Sequence, residues 1–170
     1  MTKKSIFPIG SIEYVALFDT LLPNLSEEEY QHLKDDIAEN GVQVPIVTDE
    51  NRNILDGVHR VRAASELDLR EIPVEIHPKL TAKEKMETAL RLNSHRRQWS
   101  QEERQQVAVR LRHNKYSLRR IGRLLGMSYE TVRRHIEKVS EKEKFPSISE
   151  GDDGIERPAQ LKKMPRVILK

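Results

Sequence analysis

Hydrophobic positions change their period several times along the first eighty residues, and each change marks an element. Ser11 to Leu17 alternates, with Ile12, Tyr14 and Ala16 on one side, as a half-buried strand does. Ser26-Glu-Glu-Glu29 has the spacing of a capping box, in which hydroxyl and carboxylate satisfy each other's free backbone donors. Tyr30, Leu33 and Ile37 then recur at helical spacing up to Asn40-Gly41, a left-handed stop. Period two returns in Pro45 to Thr48 and Ile54 to Asp56. A polar turn through 49–53 joins them, so a hairpin ended by Gly57 is expected. Val58 to Leu67 predicts a short helix with Val61, Ala64 and Leu67 inward, and Ile72 to Ile76 a further strand. From Thr81 onward the pattern is helical. Thr81-Ala-Lys-Glu84 opens a helix to about Leu92, and Ser100-Gln-Glu-Glu103 opens one to about His113.

Leu118 to Ile136 carries two short helical periods around Gly126. Ile121, Leu125, Met127, Val132 and Ile136 supply a buried face, and Gly122 stands where two helices approach too closely for a larger side chain. That is a helix-turn-helix pattern. Ser128, Tyr129, Glu130, Arg133 and Arg134 face outward from its second helix, as a major groove requires, and Ser128 also caps that helix. Arg119 and Arg120 on the first helix join them as candidate DNA contacts.

Charge sharpens this picture. Residues 1–90 hold 10 Lys/Arg against 17 Asp/Glu, residues 91–138 hold 13 against 4, and the remainder 7 against 6. A net +9 within a folded block, coinciding with a DNA-reading motif, is the electrostatic footprint of nucleic-acid binding. Beyond Val139 the composition turns to Glu, Lys, Pro, Ser, Gly and Asp without a hydrophobic period, which predicts a flexible tail over 141–170. Met164 to Lys170 is a small apolar end to it. No cysteine is present, which removes disulfides and thiolate chemistry. No apolar run approaches the roughly 18 residues of a membrane span, and a cytoplasmic, DNA-associated protein is expected. His113 and His135 lack a second ligand at metal-binding spacing.

Asp56-Gly57-Val58-His59-Arg60 places a glycine between a strand and a helix, where backbone amides can face an anion, and His59 and Arg60 add donors. Arg60 and Arg62 lie two apart, so they do not share a helix face.

The order of these motifs, over about residues 10–139, resembles the ParB/sulfiredoxin-like superfamily and its DNA-partition branch. There a Gly-Glu-Arg-Arg-x-Arg-Ala stretch holds the triphosphate of CTP, and this chain matches at Gly57, Arg60, Arg62 and Ala63 while departing at Val58 and His59. The Asp-Gly-x-His-Arg form is similar to relatives that handle ATP or ADP phosphates, so the base stays open. Sulfiredoxin chemistry is excluded, because Val58 replaces the catalytic cysteine. The family's Glu-Asn-x-x-Arg motif appears as Leu92 to Arg96. The resemblance implies that Asn93 helps hold a phosphate-bound magnesium and that Arg96 pairs with phosphate, although Asn93 also fits a helix end and Arg96 and Arg97 a DNA-phosphate pair. Trp99 is read as core at the joint between domains.

The expected architecture is α+β: a small mixed-sheet ParB/sulfiredoxin-like domain over 1–90, then an all-α helix-turn-helix domain over 91–140. The expected function is nucleotide-switched DNA binding in plasmid or chromosome partition or in mobile-element control, with double-stranded DNA, CTP or ATP with magnesium, a second copy of the chain and a partition ATPase as partners. A plain transcriptional regulator with a degenerate first domain is one alternative. A small-molecule kinase or phosphohydrolase is the other, with Asp56 the nearest candidate base; catalysis beyond slow triphosphate hydrolysis is not expected, since Leu92 removes the family's glutamate.

Overall fold

The structure, a computed structural model, describes residues 5–19, 21–96, 99–140, 144–151 and 154–159, with backbone alone at 94–96. The chain is α+β and divides into two compact units between Trp99 and Ser100. The helix Ala82–Arg96 (α3) packs against the strand Asn53–Asp56 (β4), which is why the division falls beyond the expected boundary at 90.

In the first unit, Ser5–Ile9 (β1) and Ile12–Ala16 (β2) form an antiparallel hairpin around Gly10. Gly10 adopts φ +57, and a Cβ there would meet the Arg70 carbonyl oxygen at 2.6 Å, so the turn admits glycine for two reasons. β1 was not anticipated, and Ile12 lies exposed while Tyr14 and Ala16 are buried as expected. The predicted hairpin forms as Ile46–Thr48 (β3) against β4, and Val74–Ile76 (β5) pairs in parallel with β3. The sheet order is β1-β2-β4-β3-β5, mixed in direction. Helices Glu27–Asn40 (α1) and Val58–Glu66 (α2) pack together, burying Tyr30, Ile37, Val61, Ala63 and Ala64 in a core completed by Ile46 and Ile54. Each helix begins where its chemistry dictates. Ser26 and Glu29 form the predicted capping box, and Thr81 and Glu84 exchange bonds of 2.8 and 3.3 Å.

The turn between β3 and β4 is built on Asp49, which is fully buried. It accepts the amides of Asn51 and Asn53 at 2.8 and 2.9 Å, the Asn53 side chain at 2.7 Å, and the Lys85 ammonium of α3 at 2.5 Å. Burial alone would raise this carboxyl. The bonds from Lys85, Asn53 and Asn51 outweigh it and hold the group below the usual carboxylate range.

The second unit comprises Gln101–His113 (α4), Leu118–Leu125 (α5) and Tyr129–Ser140 (α6), mutually packed around Val107, Leu111, Ile121, Val132 and Ile136. A hairpin of Ile148–Glu150 (β6) and Glu156–Pro158 (β7) completes it. The expectation of a structureless tail is thereby corrected over 144–159: the Ser117 amide donates to the Glu150 carbonyl at 3.1 Å, and the Glu150 amide donates to the Lys115 carbonyl at 2.7 Å. The apolar end at 164–170 lies outside the described residues. No helix among the described residues is long and apolar enough to cross a membrane.

Candidate phosphate and DNA-reading sites

At the C-terminal end of β4 the chain turns through Gly57, with φ 95, directly into α2. A Cβ at Gly57 would come within 2.8 Å of the Ile46 side chain and 2.9 Å of Arg60 Nη2, so both conformation and packing exclude a larger residue. A cavity of about 440 Å³ opens over this turn, bordered by Asp56, Gly57, Val58, His59, Arg60, Asn93 and Trp99. Four of the predicted phosphate residues, Gly57, His59, Arg60 and Asn93, therefore line one space.

Arg60 is already engaged there. Its Nη1 donates to the carbonyls of Val44 and of Pro45, the latter at 2.9 Å, and its Nη2 pairs with the buried Asp56 carboxylate at 2.9 Å. Phosphate must share the guanidinium's five N–H groups with these acceptors or displace Asp56. The same ion pair occupies the carboxylate considered as a catalytic base. Asn93 donates through Nδ2 to the carbonyls of Ala89 at 2.7 Å and Leu55 at 3.3 Å. Those two acceptors fix the amide's orientation and leave Oδ1 as the atom able to meet a cation.

Arg62 is not among the residues that line this cavity: it borders an adjoining one of about 370 Å³ with Tyr30, sharing Val58 and His59 with the first, because two helix residues two apart point to different sides. Its guanidinium bonds Glu66 at 2.9 Å and lies 4.2 Å from the Tyr30 ring centroid. Lys34 at 2.8 Å, then Arg62, hold the Glu66 carboxyl down at about 2, while burial, helped by Glu66, pushes Tyr30 up to about 12. The Arg96 side chain and Arg97 lie outside the described residues. Trp99 is buried and borders the first unit's cavity.

The motif reading missed the apolar wall of the main cavity. Phe18, Leu22, Pro23, Leu25, Leu33 and Val44 supply it, mostly from the irregular segment before α1. Their only signal was a cluster of apolar residues without a period. Among the described residues no group of three His, Asp or Glu could hold a metal ion.

In the second unit α5 and α6 meet at Gly122, where a Cβ would stand 2.6 Å from the Met127 carbonyl oxygen, as the sequence spacing required. Gly126 adopts the left-handed conformation, φ 63 and ψ 33, that the turn needs. Ser128 accepts the Thr131 amide at 3.1 Å and caps α6. Tyr129, Glu130 and Arg134 are exposed on α6, and Arg119 is exposed on α5 with its guanidinium 6.0 Å from the Tyr129 ring centroid. Arg133 is half-exposed and held by Glu130 at 2.9 Å and Glu137 at 3.0 Å. Arg120 is corrected outright. It is buried, donates to the Gly151 carbonyl at 3.1 Å, and lies 3.6 Å from the Glu150 carboxylate and 4.8 Å from the Tyr116 ring centroid. The β6–β7 hairpin takes it away from solvent.

Residues 16–94 match the model of the ParB N-terminal domain family, and residues 95–138 that of a helix-turn-helix domain. An uncharacterized protein of Acidianus two-tailed virus is 35% identical over 75 residues, 44% of this chain and 23% of that protein. A probable chromosome-partitioning protein ParB of Rickettsia typhi is 36% identical over 95 residues, 51% of this chain and 33% of that protein. The chain spans about a quarter and a third of the length of these relatives. Among solved structures, a Pnob8-like ParB-N domain superimposes with a TM-score of 0.54 at 16% identity, covering 81% of this chain and 71% of that one, a likeness of fold. With both matches falling on the elements described above, the first unit is a ParB N-terminal domain and the second carries a helix-turn-helix domain.

Proposed function

We propose that this chain is a ParB-like DNA-binding protein whose α6 reads the major groove and whose first unit binds a nucleoside triphosphate that switches DNA affinity. The single observation that carries the DNA reading is the exposed face of Tyr129, Glu130 and Arg134 on a helix fixed by the Gly122 contact, within a block of net charge +9. Arg134 supplies the readiest base or phosphate contact, because it is exposed and makes no ion pair among the described residues. The nucleotide reading is supported by the cavity over Gly57. Backbone at a strand-to-helix turn, the His59 ring and any N–H groups Arg60 releases suit phosphate oxygens, Asn93 Oδ1 suits a phosphate-bound magnesium, and the apolar wall suits a base. A role in plasmid or chromosome partition or mobile-element control, a homodimer on a palindromic operator, and a partner ATPase belong to the same proposal.

Calorimetry with CTP, ATP and GTP in magnesium buffer, with and without duplex DNA, tests both halves alongside phosphate release. Binding of one nucleotide with slow turnover is the expected result. A second reading is favoured by the Arg60 bonds to Asp56, Val44 and Pro45, which already occupy the principal phosphate donor: a regulator whose first unit no longer takes nucleotide. DNA binding without any nucleotide binding selects it.

A further inference from the structure

The β6–β7 hairpin lies beyond both family matches, which end at residue 138. It is acidic: residues 144–159 contain Glu150, Asp152, Asp153 and Glu156 against Lys144 and Arg157. Its contacts fall on the entry to α5. Glu150 bridges to Tyr116, its carbonyl accepts the Ser117 amide, and its carboxylate lies 3.6 Å from Arg120. Glu156 pairs with Lys115 at 3.2 Å, and the Gly151 carbonyl holds Arg120 at 3.1 Å.

We infer that this hairpin is an acidic clasp on the helix-turn-helix unit, pairing the exposed Lys115 and keeping Arg120 buried, so that contacts made by α6, rather than charge at the start of α5, set DNA affinity. The inference rests on the DNA-binding reading above. A hairpin placed to grip the backbone of DNA would present cations. This one presents carboxylates to the two cations beside it. Each uncompensated cation near a duplex adds one counterion-releasing contact that carries no sequence information, so the clasp lowers non-specific binding and leaves base contacts dominant.

The test is fluorescence anisotropy with a random-sequence duplex across a salt series, on the full chain and on the Glu150→Gln/Glu156→Gln variant. Glutamine keeps the backbone bonds of the hairpin while removing its charge, and a thermal melt checks that the fold persists. The variant should bind on the order of tenfold tighter at low salt, with a salt slope steeper by about 1, since Lys115 is the cation it frees. Adding Lys115→Gln, an exposed position, should take back part of that gain. Equal or weaker binding by the double variant, or a gain indifferent to Lys115→Gln, overturns the clasp while parent binding upholds the DNA reading. Absence of binding by both proteins at low salt overturns both, and binding by the variant alone supports the clasp most directly.

Discussion

Three residues of the second unit separate reading from bracing. Gly122→Ala should destabilise it by about 1–3 kcal/mol, because the added carbon meets backbone at Met127 rather than a movable side chain, and thermal melting checks this. Arg134→Ala should leave the melting temperature unchanged and weaken operator binding by about 1–3 kcal/mol in anisotropy, the range for a residue that reads a base. Arg120→Ala should do the reverse. Its guanidinium is enclosed by Gly151, Glu150 and Tyr116, so its loss lowers the melting temperature and leaves sequence preference intact.

At the scale of elements, two electrostatic ties hold helices to the first unit. Glu66 joins α2 to Lys34 of α1, and its carboxyl is lowered from 4.5 to about 2 in the folded chain. A depressed carboxyl contributes stability that is complete above about 4.5 and is lost as pH falls toward 2. Urea titrations at stepped pH should show the parent losing stability across that window, and Glu66→Gln should flatten the loss. The second tie is Asp49 to Lys85, joining the β3–β4 turn to α3. Asp49→Ala strips a buried acceptor from two amides and an ammonium and should cost about 3 kcal/mol or more. Chemical denaturation measures it. Neither tie was legible in advance. Lys34 and Glu66 are 32 residues apart and Asp49 and Lys85 36, and no periodicity connects such pairs.

For the whole molecule, two units with separate cores allow separate responses. A triphosphate bound at the Gly57 turn should raise the first unit's thermal transition, by about 2.7 kcal/mol at a hundredfold excess over Kd, and should leave that of the helix-turn-helix unit in place. Differential scanning calorimetry with and without CTP or ATP checks the expectation. A rise in both transitions together would mean that the units unfold as one.

What the sequence determined by itself was local. Capping boxes at Ser26, Thr81 and Ser100, the hairpin ended by Gly57, and the helix-turn-helix marked by Gly122 and Gly126 were all legible, because each depends on residues close together along the chain. The charge division was legible for the same reason, as a property of consecutive residues. Tertiary structure decided the rest. It turned Arg60 and Arg62 to two adjoining cavities, brought the unpatterned residues from Phe18 to Leu25 to wall the first, and buried Arg120 under a hairpin thirty residues downstream. Whether a basic side chain meets solvent, ligand or carboxylate depends on groups distant in the chain, and their approach is set by packing of the whole unit rather than by local pattern.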